Sequence, residues 1–449
     1  MLTDLQRHIE ATPLCDTHEH LRKEHEILAE KPDVLREIFE NYVSADLRVA
    51  GATQAQVDAA LWSKDLDVAA RFAPLEEAWR ATRFTGYGEA SRYIAKRFFG
   101  IEELSGRALA KAQELLPERW PEGDRMRVLR DEARLDHVQV DDFCWPCQPD
   151  ASGPEFFLYD ISWLNFCAGD LVSKGLLREG ESFSMRPLFD ETGVEVKDLG
   201  SLREAMEKLF EKYAPCAIAV KAQHAYMRTL AWRERSDEEA AAVLEAALAG
   251  RERSEEEKNV LGDWCWARGA ELAAKHNLPF KLHTGYYAGH SRMPVSRIAA
   301  GQLCPLLARY PETRWVLMHI AYPYDDEIVA LAKHYPNVWV DFCWAWSINP
   351  LASMNFLRRY LHAAPINKLF AFGGDTGRPR AAAAYAMQAR KWLNKALQAE
   401  VDDRELSEAQ ALEVVDRLFQ RNARACFDLD GVRARIRERL GVPPSSNNS

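Results

Sequence analysis

The chain has 449 residues, 47% of them hydrophobic and 28% charged, with a formal net charge of -10. This is the balance of an ordinary soluble globular protein, and the negative charge argues against nucleic acid or an anionic membrane surface as a partner, leaving a small molecule as the expected ligand. Nine cysteines, an odd number scattered through apolar segments such as Cys216-Ala217-Ile218, predict reduced thiols and a cytoplasmic location. No basic-then-apolar leader opens the chain, no run approaches the roughly 18 apolar residues of a membrane helix, and a homo-oligomer is compatible with all of this.

The first apolar run, Pro13 to Cys15, reads as a strand and leads into Asp16-Thr17-His18-Glu19-His20. Positions i and i+2 of a strand share a face, so the imidazoles of His18 and His20 point the same way, as a pair of metal ligands does. Residues 24–130 carry charged helical patterns without a β signal and read as an inserted helical subdomain, in which Arg83, Tyr87 and Arg92 are candidates for a lid. From about Arg134, short β-rich runs alternate with amphipathic helices: Val138 to Val140, Phe183 to Leu188, Cys216 to Val220, Phe280 to Leu282, Trp315 to Met318, Val338 to Val340 and Leu369 to Phe372. With the first run these make eight, and eight strands separated by helices predict one α/β unit over 1–449, a (β/α)8 TIM barrel. Cys144-Trp145-Pro146-Cys147 has the spacing of a redox or zinc motif, but it has no second pair and lies in a loop marked by Pro149, Gly153 and Pro154, so it reads as inert. Residues 237–258 read as a second helical insertion, after strand four, and 443–449 as a disordered tail.

In such a barrel the chemistry sits where strands end and βα loops begin. Strand one ends in His18 and His20, strand four in Lys221, strand five in His283, strand six in His319, and strand eight in Gly373-Gly374-Asp375. Four histidines, a lysine and an aspartate thus converge on one mouth and predict a metal site there. The pattern resembles the amidohydrolase superfamily, closest to its amidohydrolase-2-related branch, from His18 through the Asn422-to-Phe427 helix. The resemblance implies a metal site made of His18, His20, His283, His319 and Asp375, with Lys221 in the place where the binuclear members carry a carboxylated lysine that bridges two metals.

The chemistry can also be argued from the residues. A divalent ion, zinc with manganese as the alternative, lowers the pKa of bound water from about 15.7 toward 7, and two such ions clamp one hydroxide. Asp375 is expected to ligate and to shuttle the proton, with His319 as the second catalytic group. Lysine as ammonium cannot ligate, whereas its carbamate is an anionic bidentate donor. These features favour hydrolysis of a C–N, amide-type bond in a small, carboxylate-bearing molecule. A decarboxylase of the same branch does not need Lys221. A uronate isomerase, which the chain resembles in size and in its Asp-Thr-His-Glu-His opening, works with one metal and is not expected to present both His319 and Lys221. Trp344, Trp346, Tyr286 and His290 are expected to wall the substrate, with Tyr287, Tyr322 and Tyr324 as further candidates and Arg378 binding its carboxylate. Asp341 is a candidate acceptor for a ligand imidazole.

Overall fold

The structure is a computed structural model that describes residues 3–171, 188–287 and 294–442. Eight parallel strands pair each with its neighbour in sequence: β1 (Leu14–Glu19), β2 (Leu135–Val140), β3 (Phe157–Ser162), β4 (Ala219–Ala222), β5 (Phe280–Leu282), β6 (Trp315–Leu317), β7 (Val338–Asp341) and β8 (Leu369–Phe370). Beyond β8 the chain closes onto β1 through backbone bonds from Thr17 N–H to Phe372 O (3.0 Å), Asp375 N–H to His18 O (3.0 Å) and His20 N–H to Thr376 O (3.1 Å). This is the (β/α)8 barrel that the alternation of short apolar runs and helices predicts.

One strand differs from the expectation. The third is Phe157–Ser162 and not Phe183 to Leu188, of which 183–187 lie outside the described residues and Leu188 opens a helix, Leu188–Thr192. Asp160 interrupts the apolar run of β3 and disguises it, because a charge in the middle of a short strand reads as a solvent face. Inside the closed barrel that charge is paired. The Lys281 ammonium on β5 lies 2.6 Å from Asp160 Oδ2, both side chains fully buried, and also donates to Thr17 O (2.8 Å) and Gln139 Oε1 (3.1 Å). The barrel interior below the mouth is therefore a packed polar layer.

Between β1 and β2 the chain runs through helices from Glu24–Leu28 to Gly106–Glu114. They are tied to the helix that follows β8, Pro379–Asp402: Gln388 Nε2 donates to Gly86 O (2.7 Å) and Glu89 Oε2 (2.9 Å), and Trp392 Nε1 to Glu89 Oε2 (2.9 Å). The expected second insertion is narrower than 237–258. Helix Asp237–Leu248, capped by Ser236, is extra; the next, Glu255–Lys275, continues into β5 as an ordinary barrel crossover. The tail 443–449 lies outside the described residues. No helix among the described residues is long and apolar enough to cross a membrane.

Candidate metal centre

The strand ends bring the histidines onto Asp375. His18 Nε2 lies 3.1 Å and His20 Nε2 3.3 Å from Asp375 Oδ1, and the two ring nitrogens are 3.3 Å apart. On the other side, ligating atoms of His283, His319 and Asp375 all fall within 4.8 Å of one another, with His319 Nε2 3.9 Å from Asp375 Oδ2. Two groups of three donors thus share one carboxylate.

The second nitrogen of three rings is held by a backbone carbonyl. His20 Nδ1 donates to Asp141 O (2.6 Å), His319 Nδ1 to Cys343 O (2.9 Å) and His283 Nε2 to Tyr286 O (2.9 Å). These partners set the tautomers and leave Nε2 of His20 and His319, and Nδ1 of His283, to ligate. Burial keeps His18 and His283 well below the usual imidazole pKa and His319 at about 4, so their lone pairs are available. Burial also works against the charged form of His20, but the hydrogen bond to Asp375 and the charges of Asp375 and Asp141 together outweigh it and raise the pKa. Burial opposes the Asp375 charge too, and the imidazoles of His18 and His20 overcome it and hold the carboxyl well below the usual range. Two ring nitrogens and a carboxylate oxygen this close cannot all aim lone pairs at one another, so a cation, proton or metal, has to lie among them. His319 Nε2 is buried with no hydrogen-bond partner, as a ligand atom is without its ion. The donor set fits a divalent metal.

The backbone is bent to make this set. Phe143, His319, Ile320, Ala321, Trp344 and Asp375 all have positive φ, between 47° and 64°, and all lie at the mouth. For β-branched Ile320 that conformation is costly, and such outliers gather at functional sites. Gly285, after β5 and at φ 72°, is required by contact: a Cβ there would meet the backbone at Ala321 C (2.3 Å) and Tyr322 O (2.4 Å).

Lys221 stands in register with Ser162 of β3 and Lys281 of β5 and is 1% exposed. Its register with inward-facing Lys281 turns the amine into the barrel, where its charge opposes protonation of His18, His283 and His319. Burial lowers its pKa against the pull of Asp141 and Asp375.

Of the residues expected to touch substrate, Trp344 and Tyr286 lie at the mouth: the Trp344 ring sits edge-on to His319 at 5.4 Å and 5.9 Å from Tyr286. Trp346 instead packs in the core, stacked on Phe342 at 4.5 Å with Nε1 donating to Ala371 O (2.9 Å). Arg378 is not a free cation. Its guanidinium donates to Glu37 Oε1 (2.8 Å), Glu30 Oε2 (3.2 Å) and Glu40, all from the segment between β1 and β2, so it ties that segment to the barrel. His290 lies outside the described residues. Asp341 accepts from Thr17 Oγ1 (2.6 Å) and Cys343 N–H (2.8 Å) rather than from a ligand imidazole. Cys144 and Cys147 are free thiols, as are the other seven cysteines, with burial raising the pKa of both.

Arg378→Gln is expected to cost about 1–3 kcal/mol of stability with metal content intact, because buried Glu37 loses its nearer partner while Arg380 still faces it and Arg22 and Arg36 still pair Glu30 and Glu40. Unchanged denaturant stability together with a raised KM would restore Arg378 as a substrate anchor.

Several mouth residues escape a reading of strand ends. Phe143 stacks face to face on His20 with centroids 4.3 Å apart, Tyr226 lies 4.6 Å from the His283 ring, and Tyr42 of the insertion lies 4.2 Å from Trp344. Asp-Phe-Cys-Trp occurs at 142–145 and again at 341–344, but the repeat aligns Phe143 with Phe342, which packs on Trp346, and so gives no signal for the ring on His20.

A family model described as amidohydrolase matches residues 196–429, a span that includes Lys221, His283, His319 and Asp375. The chain belongs to the amidohydrolase family. Within a curated relative, protein fluG of Emericella nidulans, it is 34% identical over 122 residues, 25% of this chain and only 14% of that protein's length. Among solved structures it is similar to a uronate isomerase from Thermotoga maritima, with 15% identity, 94% of this chain and 96% of the other covered, and a TM-score of 0.77. A glucuronate isomerase from Caulobacter crescentus gives 17%, 95%, 93% and 0.75. At these identities the likeness is one of fold, and it extends across the helices between β1 and β2 because nearly the whole chain is covered.

Proposed function

We propose that this amidohydrolase-family member is a metal-dependent hydrolase that cleaves a C–N, amide-type bond in a small molecule. The observation that carries the proposal is the pair of donor groups, His18/His20/Asp375 and His283/His319/Asp375, sharing one carboxylate beside buried Lys221. His18, His20, His283, His319 and Asp375 would hold divalent metal, zinc or manganese, which supplies Lewis acidity toward a carbonyl and makes water acidic near neutral pH. Asp375 accepts a proton from the attacking water as the C–O bond forms. It returns that proton to the nitrogen as the C–N bond breaks, so the carboxylate ends as it began.

Lys221 is read as the site of a carbamate. Its neutral amine attacks the carbon of carbon dioxide, an N–C bond forms and one proton leaves to solvent, which turns a cation that would repel metal into an anionic oxygen donor. Protein purified with zinc supplied is expected to approach two equivalents by elemental analysis, and Lys221→Ala to lose one of them. Reconstitution is expected to depend on bicarbonate. Lys221→Ala with both metals and normal turnover would remove the bridge.

A second reading, a uronate-isomerase-like activity, is favoured by the similarity in fold to such enzymes over nearly the whole chain. A firm ceiling of one metal with full activity selects it.

A further inference from the structure

Neither β2 nor β7 supplies a residue to the donor set, yet each ends in a buried aspartate whose side chain turns back on the backbone that follows it. Asp141, the residue after β2, accepts from Phe143 N–H through Oδ1 (3.0 Å) and from Gln223 Nε2 through Oδ2 (3.0 Å). Gln223 lies one residue beyond β4, so the carboxylate is fixed from a second strand. The same turn meets His20 twice. Asp141 O accepts from His20 Nδ1 (2.6 Å), and the Phe143 ring stacks on the imidazole with the ring planes 6° apart.

A related arrangement serves His319. Asp341, the last residue of β7, accepts from Cys343 N–H through Oδ1 (2.8 Å) and from Thr17 Oγ1 of β1 through Oδ2 (2.6 Å). Cys343 O then accepts from His319 Nδ1 (2.9 Å), and Trp344 lies edge-on to the His319 ring. Both turns are costly by themselves, since Phe143 at φ 61° and Trp344 at φ 63° hold a conformation that bulky residues avoid. Such a turn persists where its surroundings over-determine it, and here the aspartate does so, held on one oxygen by a neighbouring strand and on the other by the turn. Without that acceptor the N–H two residues on loses its partner and the turn relaxes toward negative φ. Carbonyl and ring then move off the imidazole together. A ligand imidazole whose second nitrogen is no longer fixed typically loses about 10- to 100-fold in metal affinity.

We propose that Asp141 and Asp341 are positioning residues, one for each donor group: Asp141, anchored by Gln223, sets the ring of His20, and Asp341, anchored by Thr17, sets that of His319. The proposal rests on the reading of these histidines as metal donors and is independent of which bond is cut.

The test uses the full chain with its histidines labelled with nitrogen-15, first metal-free and then titrated with zinc against a chromophoric chelator. Metal-free wild type is expected to show slowly exchanging Nδ1–H resonances from His20 and His319, assigned with His20→Gln and His319→Gln. Asp141→Ala is expected to lose the His20 resonance, keep that of His319 and weaken zinc about 10- to 100-fold; Asp341→Ala is expected to lose the His319 resonance and keep that of His20. Asp141→Asn is expected to restore the His20 resonance and most of the zinc affinity. Its amide oxygen can still accept from Phe143 N–H, and Gln223 can turn its amide so that Oε1, buried without a partner, accepts in its turn. Phe143→Ala, at a 37% exposed position, removes the stack without emptying the core and is expected to weaken zinc severalfold should the buried variants fold poorly. Asp141→Ala with the His20 resonance and wild-type zinc affinity overturns the proposal. So does Asp141→Asn behaving like Asp141→Ala, which would make the charge, and not the turn, what matters. A wild-type protein that takes up no zinc sinks the metal reading alone, because the metal-free resonances still decide the positioning.

Discussion

Asp375→Asn is expected to keep at least one equivalent of metal and the wild-type melting temperature, yet to lose at least about two orders of magnitude in kcat, within the range of about 10² to 10⁴ that positioned acid–base groups contribute. The substitution isolates the proton. Asp375 sits at φ 56°, a conformation that asparagine tolerates almost as well as aspartate and alanine does not, so the backbone that carries Asp375 N–H to His18 O stays in place. The amide oxygen can still face His18 and His20, whose nitrogens lie 3.1 and 3.3 Å from Oδ1, but it cannot accept a proton from water at neutral pH. The measurement is steady-state turnover of the amide identified by screening, with metal content and melting run on the same preparation. A variant that retains more than about a tenth of wild-type kcat takes Asp375 out of proton transfer and leaves it a ligand only.

Lys281→Met is expected to cost about 3–5 kcal/mol in denaturant unfolding, the range for removing one partner of a buried ion pair. The apolar replacement is of similar length, so the loss comes from stranded polar groups and not from a cavity. Asp160 is fully buried at 2.6 Å from the ammonium, and Thr17 O and Gln139 Oε1 lose their donor with it. Burial already holds Asp160 near pKa 6 against the pull of Lys281, and without that pull the carboxyl takes up a proton at neutral pH. The double variant with Asp160→Leu should recover much of the loss, because the two charges interact chiefly with each other. The layer adjoins the metal centre, but Asp160 Oδ2 lies 3.9 Å from His18 Nδ1, beyond hydrogen-bond reach, so the cost of Lys281→Met falls on stability and not on the His18 ring. A stability change below about 1 kcal/mol would mean that the pair is solvated and the layer unimportant.

The donor set is the part of this protein most open to reading in one dimension. His18, His20, Lys221, His283, His319 and Asp375 each follow a short apolar run, and the barrel rule that strand ends share one mouth turns six separated positions into neighbours before any coordinate is known. Asp375 close to four imidazoles is the geometric form of that rule. Residues 24–130 read as helical from the same kind of pattern, because a long charged amphipathic stretch without β alternation has few other outcomes.

What the rule does not reach is any contact between segments remote in sequence. Arg378 looks like a mouth cation three residues past Asp375, and only the docking of the inserted helices shows Glu30, Glu37 and Glu40 closing on it. Trp344 and Trp346 are indistinguishable two residues apart, until the positive φ at Trp344 sends one ring to the metal donors and the other into the core. Asp160 marks β3 as half-solvated when read alone, which hides the strand; closure of the barrel is what converts Asp160 and Lys281 from apparent surface charges into one buried pair. Local pattern and spacing determined the fold and the atoms available to hold a metal, since both follow from short-range periodicity repeated eight times. Tertiary structure alone decided the second ring nitrogen's partner, the fate of Arg378 and the rings that pack on His20, His283 and Trp344, because each is a meeting of chain segments whose separation in sequence carries no information about their distance in space.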